Sequence, residues 1–269
     1  MANSFGTRLR WWRKRRGLSQ LALAGAAGVS QRHVSFLESG RTQPSREMVL
    51  CLAAALAVPL RQQNALLVAA GFAPIWGTRD LTAPDLAPVN QALDYILAQQ
   101  EPFPALVIDR HWNLLRANAG AQRLTTFLTA PTSDPAPTGA VNLAEWLLSP
   151  NGLRPLLVKW QDVAMHFLRG VQADALADGT PGTMALLQRL LAYPGIPALS
   201  QVPVLEEPQP PVLAMHFRQG AISLRLFTTI ATLGTPHDVT VQELRIECFF
   251  PADAETSQVF HAWATNAAR

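Results

Sequence analysis

Residues 16–50 read RGLSQLALAGAAGVSQRHVSFLESGRTQPSREMVL, and this stretch decides the fold of the N-terminal part of the chain. Counted from Gln20, it has Ala24 at the fifth position and Gly28 at the ninth, with valine and leucine at the fifteenth and eighteenth. A small side chain lets two helices cross closely, glycine adopts a left-handed turn without strain, and the two apolar side chains hold the second helix against the first. This spacing predicts a helix-turn-helix.

Helical patterns continue on both sides of the motif, over residues 5–71. Phe5 and Leu9 begin an apolar face at the spacing of a first helix. Ser19 and Ser30 stand where N-caps are expected, directly before the two helices of the motif. Two further helices follow the motif, so the sequence predicts an all-α N-terminal domain of five helices.

The positive charge of the chain is concentrated in the same region. Residues 1–75 contain 10 Lys and Arg but only 2 Asp and Glu, whereas the remaining residues contain 12 Lys and Arg and 17 Asp and Glu. A small basic domain attached to an acidic remainder is typical of a protein that binds a polyanion through one part of its chain.

The length and composition of the chain predict two folded domains. Its 269 residues are 49% hydrophobic and 15% charged, which supports sizeable cores and excludes a disordered protein. We expect a helix-turn-helix domain over residues 1–75, a linker with one helix over 76–102, and a second domain over 103–269.

Targeting and redox features predict a cytoplasmic protein with no membrane partner. No apolar run approaches the ~18 residues that a membrane span needs, and the N-terminus lacks the apolar stretch of a signal peptide. Cys51 and Cys248 lie far apart in sequence and are expected to be reduced and structural.

The second domain has the pattern of an α+β fold. Two short strands and a helix precede a proline-rich loop at 130–139 and a helical insert over 143–192. Three strand candidates follow, the first two as a hairpin, and a closing helix ends the chain. We therefore expect a five-stranded antiparallel sheet with a helical insert, its strands near residues 105–109, 113–116, 212–218, 221–232 and 239–250.

Residues 16–50 resemble the XRE (lambda-repressor-like) helix-turn-helix family. The resemblance rests on the Ser-Gln start, the Gly-Val-Ser turn, the Leu-Glu-Ser-Gly end and the following Pro-Ser. Three later runs, VPLRQQNALLVAAGFAPIW, DRHWNLLRAN and ELRIECFFPAD, are similar to the MmyB-like subgroup of this family. The resemblance therefore covers nearly the whole chain and implies a transcriptional regulator.

The resemblance implies that the third helix lies in the major groove of double-stranded DNA. Base contacts are then expected from Ser30, Gln31, Arg32, Ser35 and Phe36, although Phe36 could instead pack against the protein. Phosphate contacts are expected from Gln20, Arg10, Arg13, Arg41 and Arg46, each arginine having an ordinary solvated charge as its alternative. Proteins of this kind bind palindromic operators as dimers, so we expect a homodimer.

The run ALVIDRHWNLLRANAGAQRL resembles the opening of a PAS domain, whose curved sheet encloses a small pocket. We expect such a PAS-like pocket to be lined by Trp146, Trp160, Phe167, Met215 and Phe227. A fatty-acid-like ligand would suit these residues, with Arg116 or Arg225 meeting its carboxylate. The alternative is that these side chains form a packed core with no pocket.

The functional expectation is a regulator in which a small lipophilic ligand, such as a fatty acid, modulates DNA binding. The alternative is a regulator whose C-terminal domain serves only dimerisation or partner binding. No catalytic motif is present, so we do not expect an enzyme. The histidines and cysteines lack zinc-ligand spacing, so we expect no metal site. We expect no required cofactor, although the pocket can hold a lipid or fatty acid.

Overall fold

The computed structural model describes residues 4–129, 141–178, 180–197, 212 and 214–267, so the proline-rich loop expected at 130–139 lies outside the described residues. The chain forms two compact units. The N-terminal unit comprises Met1–Leu81 and Thr235–Gln242, and the C-terminal unit comprises Thr82–Gly234 and Glu243–Arg269.

The N-terminal unit contains the predicted five helices: α1 Phe5–Arg15, α2 Gln20–Ala26, α3 Gln31–Ser39, α4 Arg46–Ala55 and α5 Leu60–Ala69. The predicted caps are present, since the side chains of Ser19 and Ser30 accept hydrogen bonds from Ala22 N and His33 N. Gly28 turns the chain with a positive φ of 65°, which glycine adopts without strain. The predicted all-α helix-turn-helix domain is therefore confirmed.

The core of this unit is closed by a very tight crossing of α1 and α3. Leu9, Val34 and Leu37 are fully buried in it. A Cβ atom on Gly6 would lie 2.4 Å from the carbonyl oxygen of Leu37 and 2.7 Å from that of Glu38. Only glycine fits at this point, because backbone atoms cannot move aside as a flexible side chain can.

Residues 235–242 join the N-terminal unit although they lie late in the chain. Val239–Glu243 forms helix α11, so the strand predicted from residue 239 is wrong over this part. The carboxylate of Asp238 accepts hydrogen bonds from Thr240 N and Val241 N, which starts a helix in a β-branched sequence. Gln242 Oε1 in turn accepts a hydrogen bond from Leu60 N, at the start of α5.

The C-terminal unit combines five strands with helices. Its helices are α6 Ala87–Gln99, α7 Ala119–Thr129, α8 Leu143–Leu148, α9 Trp160–Asp178, α10 Pro181–Leu191 and α12 Ala254–Ala267. Its strands are β1 Ala105–Ile108, β2 Leu114–Ala117, β3 Ala214–Gln219, β4 Ile222–Ala231 and β5 Arg245–Pro251. Within the helical insert, Pro155 lies in a short 3-10 helix, Arg154–Leu156, that ends before α9 begins at Trp160.

The strands form one antiparallel sheet in the order β2-β1-β5-β4-β3, which confirms the predicted five-stranded sheet. β5 lies at its centre, with Glu247 opposite Leu106 of β1 and Phe249 opposite Thr228 of β4. Side chains alternate between the two faces of a strand, so Glu247 and Phe249 point to the same side. Phe249 joins the main core, which also contains side chains of the helical insert such as Phe167.

Candidate DNA-binding surface and ligand pocket

The start of α3 presents the residues that were expected to contact bases. Gln31 and Arg32 are exposed in the first turn, and Ser30 is exposed as the N-cap. Val34 and Leu37 are buried on the opposite side of the helix, which fixes its rotation about its axis. The exposed first turn therefore points away from the core of the unit.

Phe36 is half-buried on α3 and carries two arginines on its ring. The guanidinium carbon of Arg32 lies 5.1 Å from the ring centroid, and that of Arg41 lies 5.6 Å from it. Both distances fall within the range of cation–π attraction. The Phe36 ring thus packs against two cations of the candidate DNA surface. Ser35, the preceding residue on the helix, is also half-buried.

Glu38 contacts three of the residues that were expected to contact phosphates. Its carboxylate is 0% exposed and accepts hydrogen bonds from Arg13 Nε at 2.6 Å, Arg13 Nη2 at 2.9 Å and Gln20 Nε2 at 2.9 Å. Arg10 Nε lies 3.3 Å from the same carboxylate. Burial alone would raise the pKa of Glu38, but the hydrogen bonds from Arg13, Gln20 and Arg10 bring it below its ordinary value.

The basic residues of the unit therefore have different positions. The Arg13 side chain is 11% exposed and donates two hydrogen bonds to Glu38 inside the unit, a position that does not favour its expected phosphate contact. Arg41 and Arg46 are exposed, and the exposed Arg10 reaches both solvent and Glu38. The signal for an internal arginine was the helical spacing from Leu9 and Trp12, which places Arg13 beside the buried face.

The C-terminal unit contains a cavity of about 480 Å³, within the usual size range of small-molecule pockets. The sheet, α7, α8 and α9 contribute to its wall. Three of the predicted pocket residues, Trp146, Phe167 and Met215, line it. The other lining side chains include Leu106, Leu114, Ala121, Leu124, Leu128, Leu143, Leu147, Leu153, Phe217 and Phe249.

Four predicted pocket residues lie elsewhere. Phe227 is adjacent to the buried Leu226 on β4, so it points to the opposite face of the sheet, where its ring stacks on Phe250. The ring of Trp160 packs under the guanidinium of Arg154, 3.5 Å from the ring centroid. Neither aromatic ring is among the cavity-lining residues.

Neither predicted arginine lines the cavity. Arg116 forms an ion pair with Asp94 and also donates to Asn90. The side chain of Arg225 is 57% exposed and lies 3.8 Å from Asp253. Neither side chain is therefore where a ligand carboxylate was expected to meet it. Arg116 pairs with Asp94, and Arg225 shares with Phe227 the face of β4 that is opposite the pocket.

Two family models match the chain. The helix-turn-helix domain matches residues 4–66, and the MmyB-like transcription regulator ligand binding domain matches residues 89–262. The chain belongs to the MmyB-like transcription regulators. No curated protein matches it. The expected family, an N-terminal helix-turn-helix joined to an MmyB-like ligand-binding domain, is thus confirmed.

In this MmyB-like regulator, Glu247 is a pocket residue that sequence reasoning missed. Among the described residues that line the cavity, it alone has an ionisable side chain, and it is 4% exposed. Burial raises the pKa of Glu247 to about 7, against a hydrogen bond from Thr228 and the positive charge of Arg245. The sequence signal for its position was the run RIECFF, in which Glu247 is two residues before Phe249. Because side chains alternate along a strand, the two point to the same face.

None of the described helices of this MmyB-like regulator combines the length and apolar character needed to cross a membrane. Within the same residues, no group of histidine, cysteine and acidic side chains is arranged to hold a metal ion.

Proposed function

We propose that the protein is a sequence-specific DNA-binding regulator whose C-terminal unit binds a small apolar molecule that changes its affinity for DNA. The observation that carries the proposal is the cavity of about 480 Å³ with an almost wholly apolar wall, in the same chain as an exposed helix-turn-helix. A preformed apolar cavity of this size is the default binding site in a structure of this kind.

The exposure of the side chains supports the proposed DNA contacts. Gln31 and Arg32, with Ser30 and Ser35, contact base edges, where Gln pairs with adenine and Arg with guanine. Phe36 acts mainly by holding Arg32 in position. Arg10, Arg41 and Arg46 contact phosphates, as does Gln20 at the start of α2, whereas Arg13 stabilises the fold through Glu38.

The path from ligand to DNA runs through residues 235–242. This segment belongs to the N-terminal unit and leads through α11 directly into β5, which supplies Glu247 and Phe249 to the cavity wall. A ligand that shifts β5 therefore also displaces residues 235–242, whose Gln242 accepts a hydrogen bond from Leu60 N at the start of α5. Ligand binding can change DNA affinity only if the ligand binds the arrangement of the protein that favours DNA and the arrangement that does not with different affinities.

The DNA-bound form is proposed to be a homodimer on a palindromic operator. A single α3 reads only a short half-site, and a two-fold dimer doubles the number of base contacts. Analytical ultracentrifugation of the full chain with and without a selected duplex checks this step, and a strictly monomeric complex would contradict it.

The ligand step is tested by native mass spectrometry of the full chain and of Ala121→Phe. Ala121 is buried and lines the cavity, so a phenylalanine there fills space that a ligand would occupy. The matched control is Ala119→Phe, on the exposed side of the same helix. We expect a small-molecule mass, lost on denaturation, in the wild type and in the control but not in Ala121→Phe.

The same three proteins are then compared for binding to duplexes selected from a random library. If Ala121→Phe alters the affinity for DNA or its response to added ligand while Ala119→Phe does not, pocket occupancy modulates DNA binding. If all three carry no ligand and bind DNA alike, the C-terminal unit serves only dimerisation or partner binding.

A further inference from the structure

The polar groups of the cavity wall are few and lie close to the sheet and to α7. Besides Glu247, the described lining residues with polar side chains are Gln122, Thr125 and Thr126, and no lysine, arginine or histidine is among them. A ligand inside the cavity therefore meets a carboxyl group and neutral amide or hydroxyl groups. It meets no cation from the described part of the wall.

Glu247 is held in the wall by the sheet. It lies opposite Leu106 on β1 and Ile230 on β4, near the middle of the central strand. Thr228 hydrogen-bonds to its carboxyl group, and a carboxylate can accept several hydrogen bonds, so it retains capacity for a ligand. A buried carboxylate is costly unless it is hydrogen-bonded or paired, which favours an occupant that supplies a donor.

We propose that the cavity takes an apolar molecule whose head group is a hydrogen-bond donor without negative charge, a hydroxyl or an ammonium, and that Glu247 accepts its hydrogen bond. This inference rests on the proposed ligand-binding function and specifies the ligand class of the same site. A carboxylate head is disfavoured, because two buried carboxylates with no cation in the described wall between them repel each other unless they share a proton. The hydroxyl or ammonium head is stabilised by the charge-assisted hydrogen bond.

The test compares three probes with the same alkyl chain, 1-decanol, decylamine and decanoate, by tryptophan fluorescence titration of the delipidated full chain at about pH 8. Trp146 lines the cavity, so its emission should respond to an occupant. The variants are Glu247→Gln and, as the matched control, Glu255→Gln, whose carboxyl group is exposed on α12.

Wild type and Glu255→Gln should bind decanol and decylamine at least about tenfold more tightly than decanoate, since each added charge-assisted hydrogen bond favours the donor head. Glu247→Gln should lose about tenfold in affinity for decylamine and gain affinity for decanoate, because the repelling charge is removed while the volume is retained. Circular dichroism checks that Glu247→Gln is folded.

Two results overturn the inference in different ways. If wild type binds decanoate as tightly as decanol, and Ala121→Phe abolishes both, the apolar pocket stands and the head-group assignment is wrong. If no probe binds wild type at all, the head-group assignment and the proposed ligand-binding function fail together. Should Glu247→Gln not fold, the relative affinities of wild type for the three probes alone decide whether the head-group assignment holds.

Discussion

Arg13 Nε on α1 lies 2.6 Å from Glu38 Oε1 on α3, and a second nitrogen of the same guanidinium lies 2.9 Å from Oε2. The pair is almost fully buried and closes the N-terminal unit beside the tight crossing at Gly6. Arg13→Ala leaves the Glu38 carboxylate buried beside fewer donors. We expect the free energy of unfolding to fall by about 3 to 5 kcal/mol, the usual cost of breaking a buried ion pair from one side.

Chemical denaturation of the full chain, followed by circular dichroism, measures this loss. Lys14→Ala is the matched control, since it removes an exposed cation from the same helix and should change stability by less than about 0.5 kcal/mol. Equal stability of the two variants would contradict a stabilising role for the pair of Arg13 and Glu38.

Glu247 predicts a pH dependence of stability. Burial raises its pKa from 4.5 to about 7 in the folded protein. A carboxyl group whose folded-state pKa is raised adds stability below its unfolded pKa and loses it as the pH rises through the folded value. The stability of wild type relative to Glu247→Gln should therefore fall by about 3 kcal/mol between about pH 4.5 and about pH 8.

Urea unfolding of both proteins over this pH range measures the difference. The groups around Glu247 that influence its titration are Thr228, which donates a hydrogen bond, and Arg245, which pairs with Asp174. Both remain in Glu247→Gln, so the difference isolates the carboxyl group. Parallel pH profiles for the two proteins would contradict a raised pKa at this position.

Asp238 anchors residues 235–242 within the N-terminal unit. One carboxylate oxygen caps α11 at Thr240 N, and the other lies 3.1 Å from Arg79 Nη1. Asp238→Ala should destabilise this segment by about 1 kcal/mol, the typical value of a helix cap. Gln242 Oε1 accepts a hydrogen bond from the backbone amide of Leu60, so loosening the segment should make hydrogen exchange of amides at the start of α5 faster.

Hydrogen exchange read by mass spectrometry checks this effect at α5, Leu60–Ala69. Thr235→Ala, an exposed position in the same segment, is the control and should leave exchange at α5 unchanged. If Asp238→Ala also left exchange at α5 unchanged, the segment would not transmit a change from β5 to the N-terminal unit.

The parts of the structure that could be predicted from sequence depend on local chemistry. The turn at Gly28, the N-caps and the alternating strands are each specified by a few adjacent residues. The buried roles of Glu38 and Glu247 could not be predicted, because burial of a carboxylate depends on partners far along the chain. Phe227 likewise lies outside the pocket, because it is one residue from Leu226 on β4 and adjacent side chains of a strand point to opposite faces of the sheet.

The helical start at residue 239 shows the same limit. The sequence VTV favours a strand by its β-branched residues. Asp238 overrides this preference locally by capping two backbone amides, and its own position depends on Arg79, which is 159 residues earlier in the chain. Propensity is a weak guide where a tertiary contact fixes the cap.

The two classes of DNA contact predict different mutant behaviour. Arg32 is exposed in the first turn of α3 and is proposed to contact bases, whereas Arg46 is exposed at the first position of α4 and is proposed to contact phosphates. Arg32→Ala should cost about 1 to 3 kcal/mol on the preferred duplex and relax selection at one base position. Arg46→Ala should weaken all duplexes alike and reduce the salt slope by about one.

Fluorescence anisotropy on a selected duplex and on its single-base variants, each over a range of salt concentrations, separates the two effects. Lys14→Ala serves as the control for a general loss of positive charge. Phe36→Leu should resemble Arg32→Ala in sequence profile but with a smaller loss, because the ring that positions Arg32 is removed while the cation remains. If Arg32→Ala and Arg46→Ala lose affinity with the same sequence profile, α3 does not read bases through Arg32.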